Sequence, residues 1–398
     1  MRLSPFTLLC GMGFFAIYSS TMAKSPVLPL FATHLGATAS GVGLVAAISP
    51  MAGIAFSIPA GLLSDRFGRR AMLLAAGVIF ASAPALYLFT SGLWQLGAIR
   101  LYHGIATAIF MPVAMAFVAD LHEASKGEKL GWFSSATLCG RFLAPLTGGW
   151  ILGVLGAGAD DGFFWVYLSC TVAGVLAFGS SFRVRSEKQY AGSHTKWKEA
   201  IASLKQVASN RHILMIGVVE AAVLFMYGTI EVFLPLYGLN RGLSTFEIGI
   251  CLSAQIITLA LTKPAMGRFS DQHGRSPQII WGAALGAASA GGLAFCENFV
   301  SLFMLSILTG LSLSVVTSAT TAAVADLSRR EMRGSAMGIF GTIMDVGHSA
   351  GPMVSGVVAA FFGFSAAFLG AAFVLILITG LFVIMLANQK GRPPENIE

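Results

Sequence analysis

The sequence predicts an all-α integral membrane protein of twelve transmembrane helices in two pseudo-symmetric six-helix bundles. Three observations carry that prediction. Hydrophobic residues make up 56% of the 398 positions and charged residues only 11%, against roughly 45–50% and about 25% in soluble proteins. Apolar stretches of the roughly 20 residues needed to cross a bilayer as helix recur along the chain. A charged, glycine-bracketed decapeptide, Gly61 to Arg70, is echoed at an offset of 206 residues by Gly267 to Ser276. The echo sets Asp65 against Asp271, Gly68 against Gly274 and Arg69 against Arg275.

Spans are expected near 6–30, 42–63, 71–91, 94–119, 129–154, 163–182, 212–237, 246–267, 278–296, 299–325, 335–361 and 365–387. The N-terminal apolar run is too long for a signal-peptide core and reads as an uncleaved first span. The long polar interruption from Arg183 to Arg211 divides the chain into a first bundle (1–182), a cytoplasmic linker (183–211), a second bundle (212–387) and a cytoplasmic tail (388–398). The linker carries seven Lys and Arg, and a surface helix around Trp197–Val207 is expected in it.

With the N-terminus placed in the cytoplasm, twenty of the 25 Lys and Arg fall on cytoplasmic segments and only Arg241 in an outer loop. That is the bias expected of a multi-pass protein of the cytoplasmic (inner) membrane with both termini inside. The net charge of +7 is thereby topological, and nucleic acid is not an expected partner. The expected partners are the lipid bilayer and a small-molecule substrate, with the protein acting as a monomer. Cys10, Cys139, Cys170, Cys251 and Cys296 show no ligand spacing and are read as packing residues. No metal cluster, nucleotide-binding loop or catalytic motif is visible. No cofactor or enzymatic activity is expected, and a proton gradient is the expected energy source.

The repeat extends beyond the decapeptide. Leu28-Pro29-Leu30 matches Leu234-Pro235-Leu236, and Val118-Ala119-Asp120-Leu121 matches Val324-Ala325-Asp326-Leu327. In the fifth span Gly131, Gly140, Ala144-Pro145 and Gly148-Gly149 recur in the eleventh as Gly338, Gly347, Gly351-Pro352 and Ser355-Gly356. Small residues four apart let another helix approach closely, and these seams are expected to be corresponding contacts between the halves. Parallel six-span repeats place a binding site between the halves near mid-membrane and suit alternating access.

These motifs make the chain resemble the major facilitator superfamily, in its twelve-span drug/proton antiporter branch. The resemblance rests on the loop motif Gly61 to Arg70, on Arg100-Leu101-Tyr102-His103-Gly104, on the fifth-span glycine–proline pattern with Ala144 in place of one glycine, and on Pro26-Val27-Leu28-Pro29. It implies that spans one, four, seven and ten line a central cavity. It also implies a cytoplasmic gate in which Asp65, Arg69 and Asp120 clip the halves together while the cavity faces outward. Arg66, Gly61 and Gly68 belong to the same gate motif, and Gly267, Asp271, Gly274 and Arg275 to its second copy.

Ionisable residues within spans point to function, because each costs about 2.5–3.5 kcal/mol at the centre of a membrane helix. Lys24, Arg100, His103 and Glu231 are expected in the outer third, Arg141, Asp345 and His348 near mid-membrane, and Glu220 and Lys263 in the inner third. Glu220, Tyr227 and Glu231 return to within about 20° of one helix face and are expected to line water. Because Ser25 and Glu231 are repeat equivalents, Lys24 and Glu231 are expected to pair across the halves. Arg141 and His348 are likewise equivalent, at an offset of 207. Asp345 is the leading proton carrier, with Glu231 and Glu220 behind it.

The resulting reading is a secondary transporter that exports a small amphiphilic organic molecule or drug by proton antiport. The alternatives are a sugar or anionic-metabolite porter on the same fold, and a non-transporting membrane sensor or assembly factor.

Overall fold

The computed structural model describes residues 4–122, 125–156, 160–184, 210–328 and 333–390. The expected surface helix at Trp197–Val207 and the tail beyond residue 390 lie outside the described residues. Among those described, all regular structure is helical.

The first expected span is two helices, α1 (Pro5–Met22) and α2 (Val27–His34), separated by a turn that holds Lys24. Proline has no N–H, so Pro26 and Pro29 remove two helical donors within four residues, and the helix stops and restarts there. Next come α3 (Ala39–Phe67), α4 (Arg69–Tyr87), α5 (Leu93–Leu121), α6 (Lys126–Leu155) and α7 (Asp160–Arg183). The second half supplies α8 (Arg211–Asn240), α9 (Thr245–His273), α10 (Arg275–Leu293), α11 (Phe299–Leu327), α12 (Arg333–Phe362) and α13 (Phe364–Lys390).

Side-chain caps fix several starts. Asn210 accepts from the His212 N–H at 3.0 Å, Asn298 from the Ser301 N–H at 2.9 Å, and Ser244 with Glu247 forms a capping box at α9.

The charged decapeptides contain tight helix-to-helix turns. α3 runs through Phe67 and α9 through His273, and the chain reverses at single residues, Gly68 (φ +86°) and Gly274 (φ +91°). Residues with a β-carbon rarely adopt that backbone geometry, which is why glycine holds both positions.

Among the described residues ten helices, taking α1 and α2 as one, are long and apolar enough to cross a membrane. α10 and α12 fall outside that set, α10 being rich in Gly, Ala and Ser and α12 carrying Asp345 and His348. Their repeat partners α4 and α6 qualify. The twelve-span architecture therefore stands, with two spans of low hydropathy in the second half.

Within the first half α1 packs on α6 and α7, α3 on α5, and α4 on α5 and α7. Within the second, α8 packs on α12 and α13, α9 on α11, and α10 on α11 and α13. Two pairs, α3–α12 and α6–α9, form the main contact between halves. They are images of one another under the repeat, which equates α3 with α9 and α6 with α12.

Those pairs meet through glycine against backbone. Gly43 faces the Pro352 carbonyl and Gly249 faces that of Pro145, while Gly149 faces the Thr245 carbonyl and Gly356 that of Ala39. Each is matched by its repeat equivalent. The Thr245 hydroxyl adds a hydrogen bond to the Gly149 carbonyl at 2.9 Å, and Ser253 one to that of Phe142 at 2.8 Å.

The fifth-span seam thus has two faces. Only Gly149 of its glycines, and Gly356 in the equivalent helix, meets the opposite half. Gly140 and Gly148 instead seat α6 against Phe14 and Met22 of the same half, Gly347 and Gly351 seat α12 on Ala221 and Phe225 of α8, and Gly131 and Gly338 have no close neighbour. The expectation that the whole seam joins the halves is corrected accordingly.

All four glycine–carbonyl contacts lie toward the end of the bundle away from Gly68 and Gly274, so that end is sealed. A β-carbon at Gly249 would collide with the Pro145 carbonyl, and such overpacking costs about 1–3 kcal/mol. Gly249→Leu is expected to open the seal without unfolding the protein. Spin labels at the exposed positions Val154 and Phe246 should then report a longer distance than in the parent, and an unchanged distribution would contradict this account of closure.

Candidate functional site

On the motif side of the seal lies a cavity of about 350 Å³ between the halves. Seven of the nine charged or polar positions expected in the site line it, namely Lys24, Arg100, Arg141, Tyr227, Glu231, Asp345 and His348.

Lys24 sits in the turn between α1 and α2, and its side chain lines the cavity. Its Nζ is 2.7 Å from Glu231 Oε2, the same oxygen that His348 Nε2 approaches at 3.0 Å, and the two nitrogens are 3.4 Å apart. Lys24 belongs to the first half and Glu231 to α8 of the second, so this network crosses between the halves as the repeat offset predicts. His348 is brought there by α12, whose Gly347 and Gly351 let it lie backbone-close on α8. The Tyr227 and His348 ring centroids are 5.7 Å apart.

Asp345 projects from α12 toward Gly53 of α3. A β-carbon at Gly53 would stand 3.1 Å from Asp345 Oδ2, so glycine leaves room for the carboxylate. Among the described residues Asp345 makes no side-chain hydrogen bond or ion pair. His348 pairs with Glu231 rather than with its neighbour Asp345.

Arg100 is only 2% exposed, and its Nε has no hydrogen-bond partner. Arg141 is exposed along the cavity wall. Neither arginine is ion-paired among the described residues.

Glu220 and His103 are placed elsewhere. Glu220 is fully buried inside the second half, where the Thr320 hydroxyl donates to its Oε2 at 2.8 Å and Oε1 is left without a partner. The polar stripe on α8 therefore reaches the cavity through Tyr227 and Glu231 only. His103 is buried against Tyr87, with 3.5 Å between Nδ1 and the hydroxyl oxygen, in the hydrogen-bonding role its neighbour Arg100 suggested.

The lining helices also differ from expectation. α11, the tenth span, contributes no lining residue, while α3 does through Ser49, Pro50, Gly53 and Ser57. The Glu220–Thr320 bond joins α11 to α8 within the second half, and α12 lines the cavity through Asp345 and His348. The α3 residues carry no charge, and the one sequence signal that bears on them is the small-residue spacing of Ser49, Gly53 and Ser57.

The described pairs of the gate motif join residues of the same half. Arg69 Nε is 2.5 Å from Asp120 Oδ2 and its guanidinium 3.3 Å from Ser64 Oγ, all in the first half. In the second copy Arg275 is 2.6 Å from Asp271 and 3.1 Å from Asp326. The clip between the halves is expected for an outward-facing cavity; in this conformation the described pairs tie α4 to α5 and α10 to α9 and α11. Gly61 and the Asp65 side chain lie outside the described residues, and Arg66 rests over the Phe67 ring at 5.4 Å. The five cysteines carry no disulfide, and Cys170, Cys251 and Cys296 are buried.

Two repeated six-helix bundles around a charged central cavity define a membrane transporter of the alternating-access class. The family model for the Major Facilitator Superfamily matches residues 9–254 and 216–398, and the chain belongs to that superfamily. It is similar to the multi-drug resistance efflux pump PmrA homolog of Lactococcus lactis, 25% identical over 93% of this chain and 92% of that protein. It is also similar to the multidrug resistance protein MdtG of Escherichia fergusonii, 26% identical over 93% of this chain and 91% of that one. A solved bacterial homolog of the human lysosomal transporter Spinster, in an inward-facing and occupied conformation, shares the fold at a TM-score of 0.79, with 14% identity over 98% of each chain.

Removing one member of a buried ion pair strands the other and costs about 3–5 kcal/mol, whereas replacing both by apolar groups costs far less. Glu231→Leu is expected to lower stability more than Lys24→Met, because His348 still partners Glu231 once Lys24 is gone, and the double variant is expected to recover most of the loss. Thermal unfolding of the four purified proteins measures the coupling, and additive losses would show that the pair is not energetically linked.

Proposed function

We propose that the protein is a proton-coupled exporter of a small amphiphilic organic molecule, working by antiport and alternating access in the cytoplasmic membrane with both termini inside. One observation carries the reading: Asp345, a carboxylate with no hydrogen-bond or ion-pair partner among the described residues, stands in a cavity shared by both halves. The multidrug names of relatives aligned over nearly the whole chain support the direction of transport.

In this mechanism the sealed end faces outward, and the cavity admits substrate from the cytoplasm. Separating α3 from α12 and α6 from α9 would open it outward, and doing so must also part Lys24 from Glu231. That network therefore holds the present state shut. Asp345 exchanges a proton for substrate, because a protonated carboxyl and a bound substrate make different demands on one desolvated position. A proton entering from outside returns the transporter to the inward-facing state.

Reconstitution in liposomes with an imposed pH gradient tests this. Dye efflux should follow the gradient in the parent, and Asp345→Asn should reduce gradient-driven transport at least tenfold while leaving dye binding measurable. Unaltered proton-coupled transport in that variant would remove Asp345 from the mechanism. Gradient-independent sugar uptake by the parent would replace antiport by the porter reading.

A further inference from the structure

The charges lining the cavity do not cancel. Lys24, Glu231 and His348 satisfy one another at 2.7–3.4 Å, which leaves Arg100, Arg141 and Asp345 unmatched. Arginine stays protonated in proteins, so two permanent cations and one carboxylate await partners.

Their placement is directional. Both arginines belong to the first half, on α5 and α6, and Asp345 belongs to α12 of the second. Arg100 is the sharper case. It is almost wholly buried, it lines the cavity, and its Nε has no partner. The Tyr87 hydroxyl lies beside its guanidinium and supplies no counter-charge. Burying a charge without a counter-charge is costly, and no described residue repays that cost. Its repeat equivalent is Ser306, so the second half builds the same position without a charge. The fold does not require a cation there.

From this we infer that the transported molecule is zwitterionic or strongly dipolar, its oxyanion held by Arg100 and Arg141 and its cationic group by Asp345. Planar guanidinium groups recognise carboxylate, sulfonate or phosphate oxygens through paired hydrogen bonds. A single oxyanion between two arginines uses the donors left idle in the first half. An ammonium group at Asp345 takes the position that a proton occupies on the return step, which gives competition between proton and substrate. A purely cationic molecule would satisfy Asp345 but face two unpaired arginines. A purely anionic one would leave Asp345 without a cationic partner, so that its binding would favour rather than compete with protonation.

The inference rests on the reading of this cavity as the transport site, and the test separates the two. Three phenyl compounds serve as probes with the full-length protein: phenylalanine (zwitterion), 3-phenylpropionate (anion) and phenethylamine (cation). Binding to detergent-purified protein is read by thermal shift and by Kd, and coupling by proton movement in liposomes. Phenylalanine should bind at least tenfold more tightly than phenethylamine and more tightly than 3-phenylpropionate.

Arg141→Gln should weaken phenylalanine and 3-phenylpropionate at least tenfold and, by removing one of the two repelling cations, tighten phenethylamine. Asp345→Asn should abolish the preference for phenylalanine over 3-phenylpropionate. Arg100→Lys, which keeps the charge but loses the planar fork, should fall between parent and Arg141→Gln, and its retained melting temperature would rule out misfolding. Tightest binding of phenethylamine, or no binding of any probe, overturns the inference. Proton-coupled transport of phenethylamine alone would overturn it and leave the exporter standing. The expected binding order without proton movement would uphold the inference and sink the antiport reading.

Discussion

The two halves are held together where backbone meets backbone without a side chain between. Gly43 on the Pro352 carbonyl and Gly249 on that of Pro145 are the same contact made twice, and so are Gly149 on Thr245 and Gly356 on Ala39. Helices this close gain dense van der Waals contact, which in a bilayer replaces the hydrophobic drive that lipid tails cancel. Such contact is lost steeply with distance, since a gap of about 0.5–1 Å already forfeits a quarter to a half of the attraction. The seal is therefore closed or open with little between, and the charged cavity beneath it inherits that two-state character.

Polar groups set against this apolar seal give it something to respond to. Glycine contacts alone would favour closure whatever the cavity held. Lys24 and Glu231 sit on opposite halves, so the closure that brings the glycines together also forms their ion pair. Energy from the seal and energy from the cavity thereby act on one movement. A proton or a substrate that changes the cavity's charge changes the balance of that movement without touching a glycine.

Much of this was legible in the sequence, because its signals were periodic. Length and hydropathy mark the spans, and the 206-residue offset alone aligns Lys24 with Glu231. Where the reading failed, tertiary packing had decided the outcome. The first span looked continuous because its apolar run is continuous, yet Pro26 and Pro29 break it. The glycines of α6 all looked alike, although Gly149 meets the other half and Gly140 its own. Glu220 shared a helix face with Tyr227 and Glu231, but Thr320 draws it into the core of the second half. Nothing in the order of residues shows which helix lies beside that face. α11 was expected at the cavity through resemblance alone, and α12 is there instead.

Duplication supplies a comparison within one chain that separates scaffold from function. Where both copies keep a residue, as at Gly43 and Gly249 or Asp120 and Asp326, the architecture needs it in both halves. Where they diverge into charge, the scaffold evidently stands without it. Glu220 and Thr320 correspond to Phe14 and Ala114, an apolar pair at the same place in the first half. Arg100 corresponds to Ser306, Glu231 to Ser25 and Arg141 to His348. The unpaired arginines belong to one copy and the unpaired carboxylate to the other, so the cavity is polar across the very axis about which the halves repeat. A symmetric ligand gains nothing from that arrangement, and a molecule with opposite charges at its two ends gains most.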